Sequence, residues 1–431
     1  MLGLALAGLA LLLAGLALSA CGSSDRASTK PALPPAHAPS AARQPPFVKD
    51  ARGGLAIGLS EANANLLLAL TTPVPAGFEP ARAALTTLHP AYVRVAVDWA
   101  AVQPSAGAPA AFDTPTSGCA RQTGPCATYA GLRAELHAIA TQQRSGRGFQ
   151  PLVVIFDAPR WAAVAPSGCL HAGVSAGARL INARGLDGYR QLVLSLLALG
   201  RRERVALNLW SPWDEPNQPL FISPQRTHCA KTAPLVSPAI YTKLARTLAV
   251  TLRNAGSDHQ LVLGDLADFP KPRAQVGGIG EFVAALPQDV ICSARIWAQH
   301  EYPKPGAPHG VPGGVRALER ALDARGACGA RARIWVTETG VGAPRSGQPR
   351  DLTPAGLAAE CRLMSQVLSS WYRDTRVDAA FQYSFREDPS FQVGLADAAL
   401  TRLYPVYHLF EAWAGMRKPS GAPAPLPPAC S

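Results

Sequence analysis

Short apolar runs rich in Val, Ile, Leu and aromatic residues recur along the chain. They alternate with longer segments whose apolar positions fall three and four residues apart. The runs predict eight strands: Leu55–Leu59, Tyr92–Val97, Leu152–Phe156, Val205–Trp210, Gln260–Gly264, Arg295–His300, Arg333–Thr337 and Ala379–Ser384. Most are bounded by Gly, Pro, Asp or Ser and lack polar alternation, as strands covered on both faces should. Helical patterns fill the gaps. Ser237-Pro238 reads as an N-cap followed by proline at the first helical position, and Ile240, Leu244, Leu248 and Leu252 then form one stripe. Thr353-Pro354 opens another helix, with Leu357, Cys361, Met364 and Leu368 on its apolar face. Tyr129–Gln143, Gly188–Leu199 and Val315–Arg325 carry the same period. Eight strand–helix units in order predict an α/β fold, a closed (β/α)8 TIM barrel forming a single domain. A doubly wound open sheet is the alternative, but no Gly-rich phosphate loop follows the first strand.

Polar residues interrupt this pattern at two informative places. Trp213-Asp-Glu-Pro-Asn217 follows the fourth apolar run, and Trp335-Val-Thr-Glu-Thr-Gly340 closes the seventh. Each sets one glutamate, Glu215 or Glu338, at a strand end. A charge there is a poor core residue, because burying it without a partner is costly. The long Pro/Gly-rich segments follow strands rather than precede them, which puts both glutamates on the face where such barrels build their sites. Two carboxylates flanking a sugar bond are the chemistry of glycoside hydrolysis.

The first twenty residues are almost wholly Leu, Ala and Gly and end in Leu18-Ser-Ala-Cys21. Residues 1–21 therefore read as a lipoprotein-type signal in which Cys21 takes the lipid and becomes the mature N-terminus; the usual basic stretch is missing. An ordinary cleaved signal peptide and an uncleaved anchor are the alternatives. Residues 22–52, rich in Ser, Ala and Pro, read as a tether, residues 53–416 as the barrel, and 417–431 as a Pro-rich tail that Cys430 could pin. The expected location is the cell envelope or the extracellular space, with a lipid holding the chain to the outer face of the membrane. Export explains the cysteines: without Cys21, eight of the nine remain, an even number for an oxidising compartment. Cys119 with Cys126, Cys169 with Cys229, Cys292 with Cys328 and Cys361 with Cys430 are the sequential pairings, although sequence alone leaves the connectivity open. The formal net charge of +12 comes without a dense basic run interleaved with aromatics, so nucleic acid is not an expected partner.

At these residues the chain resembles the clan A retaining glycoside hydrolases, barrel enzymes with an acid/base glutamate after strand four and a nucleophilic glutamate ending strand seven. Beside the two glutamate motifs, Tyr92-Val-Arg-Val is similar to the strand-two arginine segment and Phe156-Asp-Ala-Pro-Arg-Trp161 to the strand-three segment. His300-Glu-Tyr302 resembles the strand-six pattern, and Gly394-Leu395, Pro405 and Tyr407 the end of the barrel. The likeness runs from about Gly53 to Gly415. It implies that Glu338 attacks the anomeric carbon and that Glu215 protonates the leaving oxygen and then activates water. Arg94 would hold the nucleophile ionised, and His300 and Tyr302 would line the sugar site. One departure stands out: the clan has asparagine before its acid/base, where this chain has Asp214. An ionised aspartate accepts but does not donate. Asn217 could supply an amide from a different position.

Trp99, Trp161, Trp213 and Phe385 follow strands two, three, four and eight and are expected as sugar platforms, with core packing as the alternative. The histidines lack ligand spacing, so no metal or other cofactor is expected. The expected partners are a carbohydrate substrate and, through the lipid, a membrane; a monomer is expected. The competing reading is a carbohydrate-binding barrel without turnover, in which Asp214 has removed the chemistry.

Overall fold

The eight apolar runs pair side by side. The computed structural model describes residues 54–61, 78–113, 131–146, 148–165, 169, 174–303, 313–343, 349–415 and 422–431. The chain divides into two units, Met1–Arg43 and Gln44–Ser431, and every described residue belongs to the second. The signal, Cys21, the whole tether and the Cys119/Cys126 pair lie outside the described residues.

The strands are β1 (Ala56–Leu59), β2 (Tyr92–Asp98), β3 (Gln150–Phe156), β4 (Leu209–Ser211), β5 (Gln260–Leu266), β6 (Ile296–His300), β7 (Arg333–Thr339) and β8 (Val377–Gln382). Each pairs in parallel with its sequence neighbours, and β1 pairs with β8 to close the barrel. The helices are α1 (Phe78–Leu88), α2 (Trp99–Val102), α3 (Leu132–Arg144), α4 (Ala183–Glu203), α5 (Ser237–Ala255), α6 (Ile279–Ala284), α7 (Gln288–Ile291), α8 (Gly314–Asp323), α9 (Gly326–Ala330), α10 (Pro354–Arg373) and α11 (Pro405–Ala414).

Two apolar regions result. Ala56, Tyr92, Leu152, Leu209, Val262, Ile296, Trp335 and Phe381 fill the barrel interior. Gly58 on β1 makes room there, because a Cβ would lie 2.5 Å from the Phe381 ring. The larger region lies between strands and helices. The α5 stripe of Ile240, Leu244, Leu248 and Leu252 is buried in it, and each such side chain contributes about 1.5–3 kcal/mol. Thr353 caps α10 as expected, its hydroxyl accepting from the Gly356 N–H. Ser237 differs: it is the first residue of α5, and its hydroxyl donates to Gln225 Oε1 at 2.8 Å.

Strand ends also move from the expected positions. β4 is only three residues long, so Glu215 stands in the loop beyond it, whereas β7 continues through Glu338. Cystine bridges join Cys169 to Cys229, Cys292 to Cys328 and Cys361 to Cys430, with Cα separations of 4.9, 5.1 and 5.4 Å. The last bridge fastens the C-terminal tail to α10. Three disulfides suit an oxidising, extracellular-type environment. Among the described residues, no helix is long and apolar enough to cross a membrane.

Candidate active site

Alternation along a strand would send every second side chain into the barrel. On β2 it does: Tyr92 packs inside, and Arg94, two residues on, rises beneath the open end. On β6 it also holds. His300 and Tyr302 reach the cleft, while Glu301 between them turns outward and accepts from the Gly314 and Val315 N–H groups that begin α8. On β5 and β7 alternation fails in a productive way. Register shifts at Gly264/Leu266 and at Val336/Thr339 interrupt the ladders. As a result Asp265 reaches the centre from β5, and the consecutive Thr337 and Glu338 both reach it from β7. Bulges that re-aim side chains at a barrel rim are a recurrent device of active sites.

Arg94 is the hub. Its Nη1 donates to Glu338 Oε1 at 2.7 Å and to Ser60 Oγ at 3.2 Å. Its Nη2 donates to Asp265 Oδ2 at 2.9 Å and also to Asp214 Oδ1. His300 is the second hub. Its Nδ1 lies 2.8 Å from Glu215 Oε1 and 3.4 Å from Glu338 Oε2, and its Nε2 lies 3.1 Å from Asp265 Oδ1. The Tyr302 hydroxyl donates to Glu338 Oε2 at 2.8 Å. Because one histidine nitrogen touches both glutamates, those two carboxylate oxygens are at most about 6 Å apart, the sum of the two contacts.

The electrostatics follow from burial and these contacts. Burial disfavours charge on Asp265, yet Arg94, His300 and the Thr337 hydroxyl outweigh it and hold the carboxyl well below its usual range. Burial likewise works against the Arg94 and His300 cations. The surrounding carboxylates overcome it and raise both, so the imidazole is held as a doubly protonated donor. Burial pushes the Glu215 and Glu338 carboxyls up, with the His300 and Arg94 cations opposing. Asp214 is pushed up to about 6 by burial, against the pull of Arg94 and His300. Burial and the neighbouring Glu338 charge raise the Tyr302 phenol, which stays a neutral donor.

The Glu215 turn is held in an uncommon conformation. Its φ is 33°, in the left-handed region that costs a non-glycine residue about 1–3 kcal/mol. The Glu215 N–H donates to Asp265 O at 3.0 Å, tying the turn to β5. Asn217 completes the tie. Its amide nitrogen donates to Ala267 O and Gly277 O, both at 3.1 Å, and its oxygen accepts from the Ala267 N–H at 2.8 Å. Asn217 is fully buried with its amide spent on backbone, so the expected sugar contact is replaced by a bracing role.

The expected aromatic platforms are also placed differently. Trp99, Trp213 and Phe385 are buried, with exposures of 0, 1 and 0 %. The Trp99 indole N–H goes to Gln103 and that of Trp213 to Phe221 O, while the Phe385 ring meets Tyr407 edge-on. Trp161 is half-buried against Trp99 and α4, where a Cβ on Gly188 would lie 2.3 Å from its ring. These rings follow the strands in sequence but fall into the layer between barrel and helices, where burying their large apolar area is most favourable. The aromatics beside the glutamates are others: Tyr302 meets Phe391 edge-on at 4.9 Å, and Phe391 meets Tyr383 at 5.8 Å. Strand periodicity and motif spacing do not mark Asp265, Thr337, Tyr383 or Phe391. For Asp265 a signal existed, a charge inside the apolar run Val262-Leu-Gly-Asp-Leu266, past the expected strand end at Gly264.

Among the described residues, one group of three possible metal ligands converges: Asp214, His300 and Glu338, with ligand atoms within 4.8 Å of one another. Arg94 already binds both carboxylates, and its guanidinium supplies there the positive charge a metal would bring.

Comparison with known proteins agrees with the barrel. No protein-family model and no curated sequence matches the chain. Among solved structures, a family 39 glycoside hydrolase from the gut symbiont Bacteroides cellulosilyticus WH2 superposes with a TM-score of 0.50 at 15% identity, over 85% of this chain and 65% of that one. A monomeric β-xylosidase from Caulobacter crescentus CB15 gives 0.51 at 13% identity, over 85% and 68%. SrfJ from Salmonella typhimurium gives 0.52 at 11% identity, over 84% and 76%. The fold is a closed (β/α)8 barrel, the architecture these glycoside hydrolases also have. The chain spans about two thirds to three quarters of the lengths of these neighbours, and at such identities the likeness is one of fold.

Proposed function

We propose that this chain is an exported retaining glycosidase that cleaves O-glycosidic bonds of a poly- or oligosaccharide by double displacement. The observation that carries the reading is the shared His300 nitrogen, which keeps the Glu215 and Glu338 oxygens within about 6 Å. Retaining pairs stand about 5–5.5 Å apart and inverting pairs about 6.5–9.5 Å. Two carboxylates that share one nitrogen support the closer class, and the anomeric configuration of the first-formed product tests it.

Roles follow from surroundings. Glu338 receives hydrogen bonds from Arg94 and Tyr302, which stabilise its anion and aim it as the nucleophile. Among the described residues Glu215 takes no hydrogen bond from an arginine, and burial raises its carboxyl against the pull of His300, which suits a general acid that keeps its proton until the leaving oxygen takes it. After the glycosyl ester forms, Glu215 as carboxylate draws a proton from water, and the water attacks the anomeric carbon to release Glu338. His300, donating to Glu215 and Asp265, fixes both groups across the cleft. The chain is further read as lipid-anchored through Cys21 and as acting as a monomer, without a cofactor.

A panel of aryl glycosides tests this, with xylosides first because one structural neighbour is named a β-xylosidase. Glu338→Ala should abolish turnover of every substrate. Glu215→Ala should lose most on poor leaving groups, by about 10²–10⁴-fold, and little on activated ones. Equal rates in both mutants and wild type on a cleaved substrate would refute the assignment. The alternative, a sugar-binding barrel without turnover, draws on the extra acidic group at Asp214 and predicts binding with no cleavage across the panel.

A further inference from the structure

A closed parallel barrel puts every strand start at one end, opposite the glutamates. Each of the six strands β3 to β8 is preceded, within seven residues, by an exposed arginine: Arg144, Arg204, Arg253, Arg295, Arg331 and Arg373. None of these forms an ion pair among the described residues. The acids at this end are largely occupied: Glu203, Asp323 and Asp378 pair with Arg202, Arg376 and Arg333, and Asp374 accepts from the Arg376 N–H at 2.9 Å. Exposed Asp258 stands against the six arginines. A cation in the last turn of a helix suits the helix dipole, which accounts for Arg144, Arg253 and Arg373 one at a time. Arg204, Arg295 and Arg331 stand past their helices, in the turns that lead into β4, β6 and β7.

Two features choose a partner. The arginines are spread around the rim of a barrel, one per strand, and do not file along a groove. A polyanionic chain would meet a few at a time, whereas a planar anionic surface meets the set together. The chain also enters the barrel here. Gly54 stands just before β1, and a Cβ on it would lie 3.7 Å from the Tyr372 ring, next to Arg373. We propose that the strand-start end of the barrel is a docking surface for an anionic phospholipid membrane, so that the carboxylate cleft faces away from the lipid. The inference goes beyond the glycosidase reading and lies at the opposite end from its residues. It uses the reading of Cys21 as a lipid anchor only to choose the occupant. An anionic lipid surface strengthens binding about fivefold per nearby arginine, and salt screens this attraction.

Co-sedimentation of the full chain with phosphatidylcholine vesicles, with and without phosphatidylglycerol, tests the proposal. The apolar N-terminal segment and any lipid on Cys21 contribute alike to both compositions, so the ratio of the two binding constants isolates the charge. That ratio should be at least about a hundredfold at about 0.1 M salt and fall below about tenfold at about 1 M. The triple variant Arg204→Gln, Arg295→Gln and Arg331→Gln should lose at least about tenfold of it. Arg160→Gln, Arg184→Gln and Arg316→Gln remove the same charge beyond β3 and at the starts of α4 and α8, at the cleft end, and should lose less than about threefold. Matching circular dichroism and thermal midpoints establish that both variants fold, and the salt dependence of wild type needs neither. Equal binding to both compositions, a ratio unmoved by salt, or equal losses in the two folded variants overturns the proposal. So does soluble polygalacturonate binding as tightly as the vesicles at matched charge, which would make an acidic glycan the partner. The mass of the N-terminal peptide of the exported protein reports the lipid separately. Selective vesicle binding by a chain without lipid supports the surface and counts against the anchor alone.

Discussion

Arg94→Met removes the guanidinium and keeps most of the side-chain volume. In the native protein Arg94 is 5 % exposed and spends four of its donors on Ser60, Glu338, Asp214 and Asp265. Taking one partner from a buried ion pair costs about 3–5 kcal/mol, because the remaining charge is left without compensation. Here three carboxylates are stranded together, so the upper part of that range is expected. The cost depends on pH with a definite sign. In wild type the Asp265 carboxyl titrates below its unfolded value, so it contributes stability that is present above that value and lost as pH falls through the depressed one. Without Arg94, burial dominates and the carboxyls rise above their unfolded values of about 4. The mutant then loses stability as pH climbs, and the gap to wild type should widen from about pH 4 to about pH 8. Urea unfolding followed by tryptophan fluorescence at both pH values measures this. Arg94→Lys should recover part of the loss, since an ammonium supplies charge but not the planar fork. A deficit below about 1 kcal/mol at pH 8, or one independent of pH, would refute the account of Arg94 as the counter-charge of the site.

Three further outcomes are expected. Asn217→Ala strands three buried backbone groups and should cost about 2–4 kcal/mol in thermal or urea unfolding while lowering kcat through the Glu215 turn; an unchanged kcat would show that the turn holds its shape without this brace. Asp214→Asn removes a carboxyl held above its unfolded value, which destabilises the fold above that value and is neutral below it. The mutant should therefore match wild type near pH 4 and gain up to about 3 kcal/mol at pH 8, an upper bound for a two-unit shift, read by the same unfolding curves. Non-reducing peptide mapping should find Cys169–Cys229, Cys292–Cys328 and Cys361–Cys430, and removing the second bridge should cost about 2–4 kcal/mol; free thiols at these positions would refute the bridges.

The barrel was legible because buried parallel strands and amphipathic helices leave distinct periods, and all eight expected runs overlap a strand. Their ends were less legible: β4 shrank to Leu209–Ser211, since pairing with both neighbours, and not apolar content, decides where a strand runs. Glu215, Glu338, Arg94, His300 and Tyr302 converge because strict alternation applies on β2 and β6 and because strand ends are natural places for charge. Asp265 stayed hidden behind a register shift, which no period-two pattern contains. Trp99, Trp213 and Phe385 misled for a general reason: sequence order says which strand an aromatic follows but not whether its ring turns to the cleft or to the helix layer. Asn217 lay in the right motif with the wrong task, because hydrogen bonds to Ala267 and Gly277 are set by loop geometry.

The central claim is that Glu338 becomes glycosylated while Glu215 handles the proton. Mass spectrometry after incubation with activated 2-deoxy-2-fluoro aryl glycosides tests it most directly, because the fluorine slows release of the intermediate more than its formation. The account predicts one added glycosyl mass on the peptide carrying Glu338, absent from Glu338→Ala and still formed in Glu215→Ala. An adduct on Glu215 or on another residue, or turnover with inverted product and no adduct, would contradict it.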